Sequence, residues 1–277
     1  MAARPASTAS GAARAQHRDR PGEPSVRRPP DWAWLLVAAT VAVEIPYPLL
    51  HGSALAVLTI ATVIILLLAS VVHAAATRGP RWTASYLVVT IGTGLAVEAL
   101  GVHTGVPFGR YSYAHTLGLR VFGVTALVPL AWAMMAYPAY VLARRHERTP
   151  DRAALLGGLV LATWDLFLDP QMVAAGHWRW SGPGPALNGI PLSNFLGWLL
   201  VGTVLTGALL ALPDRDRLEP RDERIPLALL LWTYLSAVLA NAAFFGRPGV
   251  ALTGGLAMGA VLVAGLRTWR GERSDGR

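Results

Sequence analysis

The chain has 277 residues, of which 53% are hydrophobic and 14% are charged, and its mean hydropathy is +0.44. Soluble domains carry about 25% charged residues, so this composition indicates an integral membrane protein. The formal charge of +8 would suggest nucleic-acid binding in a soluble protein, but every basic residue is Arg and lies in a short tract between apolar runs. Such tracts are typical of topology signals, and we expect no nucleic-acid partner. Because the chain has no Cys, disulfides, iron–sulfur clusters and thiol nucleophiles are excluded.

The first residues differ in composition from the rest of the chain. Residues 1–30 are rich in Pro, Ala, Ser and Arg and lack the apolar content that a core requires. We predict a disordered cytoplasmic arm there rather than a signal peptide, since the apolar run that follows is long enough to span a membrane. The predicted domains are this arm at 1–30, a transmembrane domain at 31–268 and a cytoplasmic tail at 269–277.

Apolar runs of about 17–25 residues identify membrane-spanning helices. The sequence contains candidates at 32–50, 54–76, 84–102, 121–143, 153–170, 192–212, 225–245 and 250–268. The predicted fold class is therefore all-α, a polytopic membrane helix bundle with about eight transmembrane helices.

The Arg residues orient these helices. If the N-terminus is cytoplasmic, every Arg falls on the cytoplasmic side except Arg110, Arg120, Arg179 and Arg247. This bias agrees with the positive-inside rule at every tract. An even number of spans with both termini in the cytoplasm is therefore predicted.

Five polar side chains lie inside the predicted spans, and ionisable groups there are candidates for function. They are Glu44, Glu98, Asp165, Asp169 and Asn241. At a rise of about 1.5 Å per residue, all five fall at a similar depth in the outer half of the bilayer. We expect them to form one polar layer.

Asp165 and Asp169 are four residues apart, so their side chains are expected on one helical face. Two neighbouring carboxyl groups in a low-dielectric site do not both ionise easily, and one is expected to keep its proton. The pair is therefore a candidate proton donor beside a proton acceptor. In the alternative reading, Asp169 caps the helix end and Asp165 pairs with Arg179 or Arg110.

Glu44 and Glu98 are candidates for the same proton network. The alternative is that they form hydrogen bonds to neighbouring helices. His103, which follows Glu98 closely, is the histidine best placed to contact a substrate. Asn194 begins the sixth predicted span, where an N-cap is the usual role for Asn, and it is also a candidate site residue.

Two outer connections, at 103–120 and 171–191, are rich in aromatic residues, Gly and Pro. Gly and Pro favour loops of defined shape, so we expect these connections to form a roof over the polar layer. The candidate substrate-binding side chains in and beside the roof are Phe108, Arg110, Tyr111, Tyr113, Trp164, Trp178 and Trp180. For any single Trp, the alternative is a place in the interfacial aromatic belt.

Four strings in this region resemble one protein family. They are TGVPFGRYSY, FGVTALVPLAWAMMAYPAY, TWDLFLDPQMVAAGHWRW and GIPLSNFLGW. They resemble the membrane-bound carotenoid biosynthesis proteins, which include bisanhydrobacterioruberin hydratase and the carotene 1,2-hydratases. The likeness covers roughly residues 98–200, and it implies that the domain at 31–268 modifies carotenoids in the cell membrane.

The resemblance implies addition of water to the terminal C1=C2 double bond of an acyclic carotenoid, with no cofactor and no metal. The Asp165–Asp169 pair would protonate the alkene, and aromatic faces would stabilise the tertiary carbocation. Glu98 would accept a proton from the attacking water, and Glu44 is a further catalytic candidate. The expected partners are the carotenoid within the bilayer, membrane lipid and other carotenoid biosynthesis enzymes.

Two other functions fit some of the residues. The string DLFLD is a DxxxD pattern of the kind that binds a magnesium diphosphate, which would suggest a membrane prenyltransferase; a second Asp-rich motif is absent from the sequence. Carboxylates within spans also occur in proton-coupled transporters. The shared depth of the carboxylates and the aromatic roof favour the hydratase over alternating access.

Overall fold

The computed structural model describes residues 26–146, 149–214 and 220–271, so most of the predicted arm and tail lies outside the described residues. The predicted helical membrane bundle is confirmed. The described residues form eight α-helices: α1 (Ala33–Glu44), α2 (Gly52–Arg78), α3 (Pro80–Thr104), α4 (Leu127–His146), α5 (Pro150–Ala174), α6 (Leu192–Ala211), α7 (Arg224–Leu239) and α8 (Pro248–Gly271).

Six of these helices are long and apolar enough to cross a membrane: α2, α3, α5, α6, α8, and α7 with its continuation to Phe244. Helix α1 is shorter, and a 3₁₀ turn at Tyr47–Leu49 follows it. Helix α4 is the centre of the bundle, because it packs against six of the other helices and 14 of its 20 residues are buried. Its apolar residues therefore face protein rather than lipid.

The predicted start of the fourth span at residue 121 is wrong by six residues. Residues 120–125 form a hairpin of two short strands, β2 (Arg120–Val121) and β3 (Val124–Thr125). The two residues between the strands, Phe122 and Gly123, both have positive φ angles, of 51° and 81°. Such angles are typical of a two-residue hairpin turn, and they are incompatible with a helix. Helix α4 consequently begins at Leu127.

Helices α5 and α6 form the most extensive helix pair in the bundle, and glycines permit their close approach. A Cβ atom on Gly158 would lie 2.7 Å from the backbone nitrogen of Thr203 and 2.9 Å from the backbone oxygen of Leu199. Gly202, on the facing helix, lies directly against Gly158. Small residues at such contacts are the usual device for close packing of membrane helices. This contact sets the spacing of the side chains on the two helices.

We expect Gly158→Ala to lower the thermal stability of the protein in detergent. The added methyl group has no space, and overpacking of this kind costs about 1–3 kcal/mol. Gly207→Ala is the matched control, since its Cβ would meet only the side chain of Ala154 on α5, at an ordinary 3.7 Å. A Gly158→Ala protein that melts at the same temperature as the Gly207→Ala protein would contradict this account of the interface.

The Arg-rich connections come together at one end of the bundle. Arg78, at the end of α2, is buried and forms a 2.7 Å ion pair with Glu223. Its guanidinium also lies over the rings of Trp82 and Tyr137. The N-terminal segment reaches the same place, where Arg27 forms a β-bridge with Arg221. This grouping agrees with the predicted alternation of connections, and the assignment of this end to the cytoplasm stays a prediction.

The opposite end carries the roof, which contains short strands rather than loops alone. Strands β1 (Arg110–Tyr113) and β4 (Trp178–Ser181) form an antiparallel ribbon that joins the two outer connections. A further hairpin, β5 (Ala186–Leu187) with β6 (Ile190–Pro191), leads into α6. The ribbon fixes the roof over the ends of α3 and α5, with which it is in contact.

Candidate active site

A cavity of about 430 Å³ lies beneath the roof and extends to the contact between α1 and α7. Ligand pockets measure about 300–1,000 Å³, so it is large enough for a small molecule or for one end of a longer one. No Arg, Lys or His is among the described residues that line it. Ten of the predicted site residues line this cavity: Glu44, Glu98, Phe108, Tyr111, Tyr113, Trp164, Asp169, Trp178, Trp180 and Asn194.

The predicted aspartate pair is held together by Asn194. Its amide nitrogen donates a 2.6 Å hydrogen bond to Oδ2 of Asp165 and another of 2.6 Å to Oδ2 of Asp169. The indole nitrogen of Trp178 donates to Oδ1 of Asp169 at 3.0 Å. Asn194 is therefore a bridge between two helices, placed by the close α5–α6 contact, and it lies inside α6, whose N-cap residue is Pro191.

Asp165 lies deeper than Asp169. It is completely buried, it does not line the cavity, and its Oδ1 atom has no hydrogen-bond partner in the described structure. An unpartnered acceptor in such a place is costly, and a proton on this carboxyl group would remove the conflict between two adjacent charges. The ion pairs with Arg110 or Arg179 that the alternative reading predicted are not formed, because both Arg side chains are exposed on the outer face of the ribbon.

Glu98 accepts three side-chain hydrogen bonds. The hydroxyl groups of Tyr111 and Tyr113 both donate to Oε2 at 2.6 Å, and the indole nitrogen of Trp132 donates to Oε1 at 3.0 Å. All three donors are neutral, and multiple donors of this kind stabilise a carboxylate anion. Oε1 has one donor only, so it keeps a free lone pair.

The β1–β4 ribbon delivers four aromatic side chains to one face. Tyr111 pairs with Trp180 and Tyr113 with Trp178 in the register, and alternate residues of a strand point to opposite faces. The rings of Tyr113 and Trp178 lie 5.6 Å apart. Since Tyr113 binds Glu98 and Trp178 binds Asp169, these two rings connect the carboxyl groups. We call Glu98, Asp165, Asp169 and Asn194 the acid cluster.

A second group of aromatic rings continues from the acid cluster along the cavity. The indoles of Trp132 and Trp198 stack at 3.9 Å with an angle of 9° between their planes, and Trp164 meets Trp198 edge-on. Phe108 packs against both members of the stack. A Cβ on Gly197 would lie 2.7 Å from the ring of Phe108, so this glycine leaves the space that Phe108 occupies.

Glu44 also lines the cavity and is held by helix α7. Its Oε2 atom accepts hydrogen bonds from the indole nitrogen of Trp232 at 2.7 Å and from the hydroxyl of Ser236 at 3.3 Å. Both donors belong to α7, so Glu44 joins α1 to α7. The structure therefore places this carboxylate apart from the acid cluster, on a different pair of helices.

Besides Asp165, three predicted site residues do not line the cavity. His103 and Arg110 are exposed. Asn241 is buried in the π-helical turn that continues α7, where its amide nitrogen donates to the backbone oxygen of Ala237. None of the three lines the cavity.

His177, at the edge of the roof, was not assigned a role from the sequence. It is buried, and Nδ1 lies 2.8 Å from the hydroxyl of Thr116, while its backbone oxygen accepts from Ala114. Burial lowers the pKa of His177 from the ordinary value of 6.5. The folded roof thus favours the neutral imidazole. The contribution of His177 to the stability of the folded protein is therefore present above the ordinary pKa, and it begins to be lost as the pH falls through that value.

Several polar or aromatic residues of the cavity were not predicted from the sequence, among them Trp132, Trp198, Trp232 and Ser236. Trp132 lies in the middle of α4, which consists of apolar residues on all sides, so periodicity gave no reason to select it. Trp232 and Ser236 are four residues apart on α7 and therefore share a face, a signal that could have identified them.

Comparison with known proteins identifies a family and one relative that is similar over about half of its length. The family described as "Carotenoid biosynthesis protein" matches residues 52–265. Bisanhydrobacterioruberin hydratase of Haloarcula japonica is 31% identical over 164 residues, which cover 54% of this chain and 55% of that protein. The chain thus matches about half the length of this curated relative. No solved structure matches the chain. Since the family match spans most of the sequence and includes the whole acid cluster, the chain belongs to the carotenoid biosynthesis protein family.

Proposed function

We propose that this membrane protein is a hydratase that adds water to the terminal C1=C2 double bond of an acyclic carotenoid, without a cofactor, in the cell membrane. The observation that carries the proposal is one apolar, aromatic cavity lined by both Asp169 and Glu98, two carboxyl groups with different hydrogen-bond partners. The hydratase of Haloarcula japonica supports the reaction class.

Asp169 is the proton donor in this proposal, because it lines the cavity while its neighbour Asp165 does not. Two carboxyl groups bridged by one amide nitrogen at 2.6 Å each do not both carry charge in a low-dielectric site. The pair therefore holds a proton at neutral pH. In the reaction the π electron pair of the alkene takes this proton at C2, which leaves C1 as a tertiary cation.

The cavity can stabilise that cation by two means. Ring faces such as those of Trp132, Trp198 and Tyr111 attract positive charge through their quadrupole, and the carboxylates that remain supply negative charge. The described lining contains no cationic side chain that would oppose the developing charge. Preorganised electrostatics of this kind is commonly the largest contribution to catalysis.

Glu98 is the proton acceptor. The water oxygen forms a bond with C1, and the proton that it loses passes to the free lone pair on Oε1 of Glu98. The sum of the two steps is the addition of one water molecule. Transfer of a proton from Glu98 back to the aspartate pair then restores the starting state.

The proposal is tested by expressing the protein in cells that accumulate lycopene. We expect a pigment heavier by one water molecule, whose oxygen derives from labelled water. Unchanged pigment mass with several acyclic carotenoids would overturn the hydratase. Prenyl transfer would instead require magnesium and increase the pigment mass by an isoprene unit. The described lining is apolar and contains no cationic side chain that could bind a diphosphate, which disfavours this reaction.

A further inference from the structure

One wall of the cavity is thin. It is formed by α1 with its 3₁₀ turn and by α7 with its π-helical turn at Ala240–Phe244. Ile45, Leu239 and Phe244 line the cavity, yet they are 65%, 60% and 56% exposed. At the acid cluster, by contrast, Phe108 is 1% exposed and Trp132 is fully buried. Single side chains therefore separate the cavity from the surroundings of the bundle at this wall.

Both sides of the wall are irregular at the same place. Helix α1 ends at Glu44, shortly before Pro46 and Pro48, which cannot donate backbone hydrogen bonds. Helix α7 changes there to a π-helical turn, a feature that frequently occurs at functional sites. The side-chain hydrogen bonds from α7 to Glu44 cross this wall. Apolar contacts between α1 and α7, together with the hydrogen bonds that α7 donates to Glu44, thus hold the wall closed.

We propose that the wall between α1 and α7 is a lateral entrance from the bilayer, occupied during the reaction by the part of a long acyclic polyene that does not react. This inference rests on the proposed function. A cavity of about 430 Å³ suits a drug-sized ligand, so it encloses one end of a carotenoid and not its whole length. With the end group at the acid cluster, the remaining chain passes Glu44 and leaves between α1 and α7 into lipid, where an apolar chain is equally stable.

The lack of Cys in the chain permits a direct test. Ala240 lines the cavity at the entrance, whereas Ala243, in the same π-helical turn, is exposed and does not line it. Ala240→Cys and Ala243→Cys proteins are purified in nanodiscs and labelled with pyrene maleimide, and labelling is measured by mass. We expect the label at position 240 to abolish the lycopene hydration that the same variant shows before labelling, and the label at position 243 to leave the activity of its variant unchanged.

A binding measurement separates this inference from the proposed reaction. Added lycopene should slow the labelling of the cysteine at 240 and leave the rate at 243 unchanged. If lycopene gives this protection but wild-type protein hydrates no carotenoid, the hydratase fails and the entrance stands. If the labelled Ala240→Cys protein stays fully active, or lycopene does not change its labelling rate in active protein, the entrance is overturned. Protection by bilayer lipid alone, without a further effect of lycopene, would assign the opening to acyl chains and also overturn the proposal.

Discussion

Asp169→Asn is expected to abolish the hydration of acyclic carotenoids. Asn has nearly the size of Asp and can accept a hydrogen bond from Trp178 or Asn194, but it has no carboxyl proton to give. General acid catalysis contributes about a hundredfold to ten-thousandfold to a rate, and in the proposed mechanism the carbocation forms by protonation of the alkene from Asp169. The measurement is the fraction of lycopene converted per unit of protein in isolated membranes.

Asp165→Asn is the companion variant. In our proposal Asp165 keeps the shared proton available at Asp169, so its loss is also expected to reduce conversion strongly. Protein amount in the membrane and lycopene binding, read from quenching of Trp fluorescence, should stay near wild type in both variants. Normal conversion by both variants would remove the pair from the mechanism, whereas loss of binding would indicate misfolding.

Glu98→Gln should have an effect of similar size for a different reason. The amide oxygen of Gln can still accept hydrogen bonds from the tyrosines, but Gln cannot take the proton that the attacking water loses. Removal of the negative charge also destabilises the carbocation. We expect a loss of about a hundredfold or more in the conversion rate, with lycopene binding retained.

Glu44→Gln is the comparison that distinguishes the two glutamates. The Gln oxygen can still accept from Trp232 and Ser236, so the contact between α1 and α7 is preserved. Because Glu44 is bound at the entrance and not at the acid cluster, a much smaller loss is expected than for Glu98→Gln. Equal losses in the two variants would place Glu44 among the reacting groups. They would contradict the assignment of Glu98 alone as the general base that accepts the proton from water.

The helical bundle was predictable because membrane spans need long apolar runs and internal hydrogen bonding. The facing of Asp165 and Asp169 followed from helical spacing alone. The role of Asn194 did not, since it depends on how closely α6 approaches α5, and this distance is set by glycines whose partners lie on another helix. The sequence likewise suggested one network for Glu44 and Glu98, although Glu44 accepts hydrogen bonds from α7 and Glu98 accepts them from β1 and α4.

The aromatic ribbon was only partly predictable. RYSY and WRWS both alternate aromatic with polar residues, which is a signal for strands, and the two strings were recognised as part of a roof. Their pairing joins residues 71 positions apart, and no local rule relates strands so distant in sequence. The hairpin at 120–125 was missed because its apolar residues extended the run of the next helix; the glycine turn was the contrary signal.

The ribbon also determines the stage of synthesis at which the acid cluster can form. Tyr111 and Tyr113 leave the ribosome well before Trp178 and Trp180, with the whole of α4 and α5 between them. Until β4 is made, β1 has no partner strand, and Asp169 lacks the indole of Trp178 as its donor. The hydrogen-bonded acid cluster is therefore completed late in synthesis, after β4 and the first turn of α6, which carries Asn194, have been added.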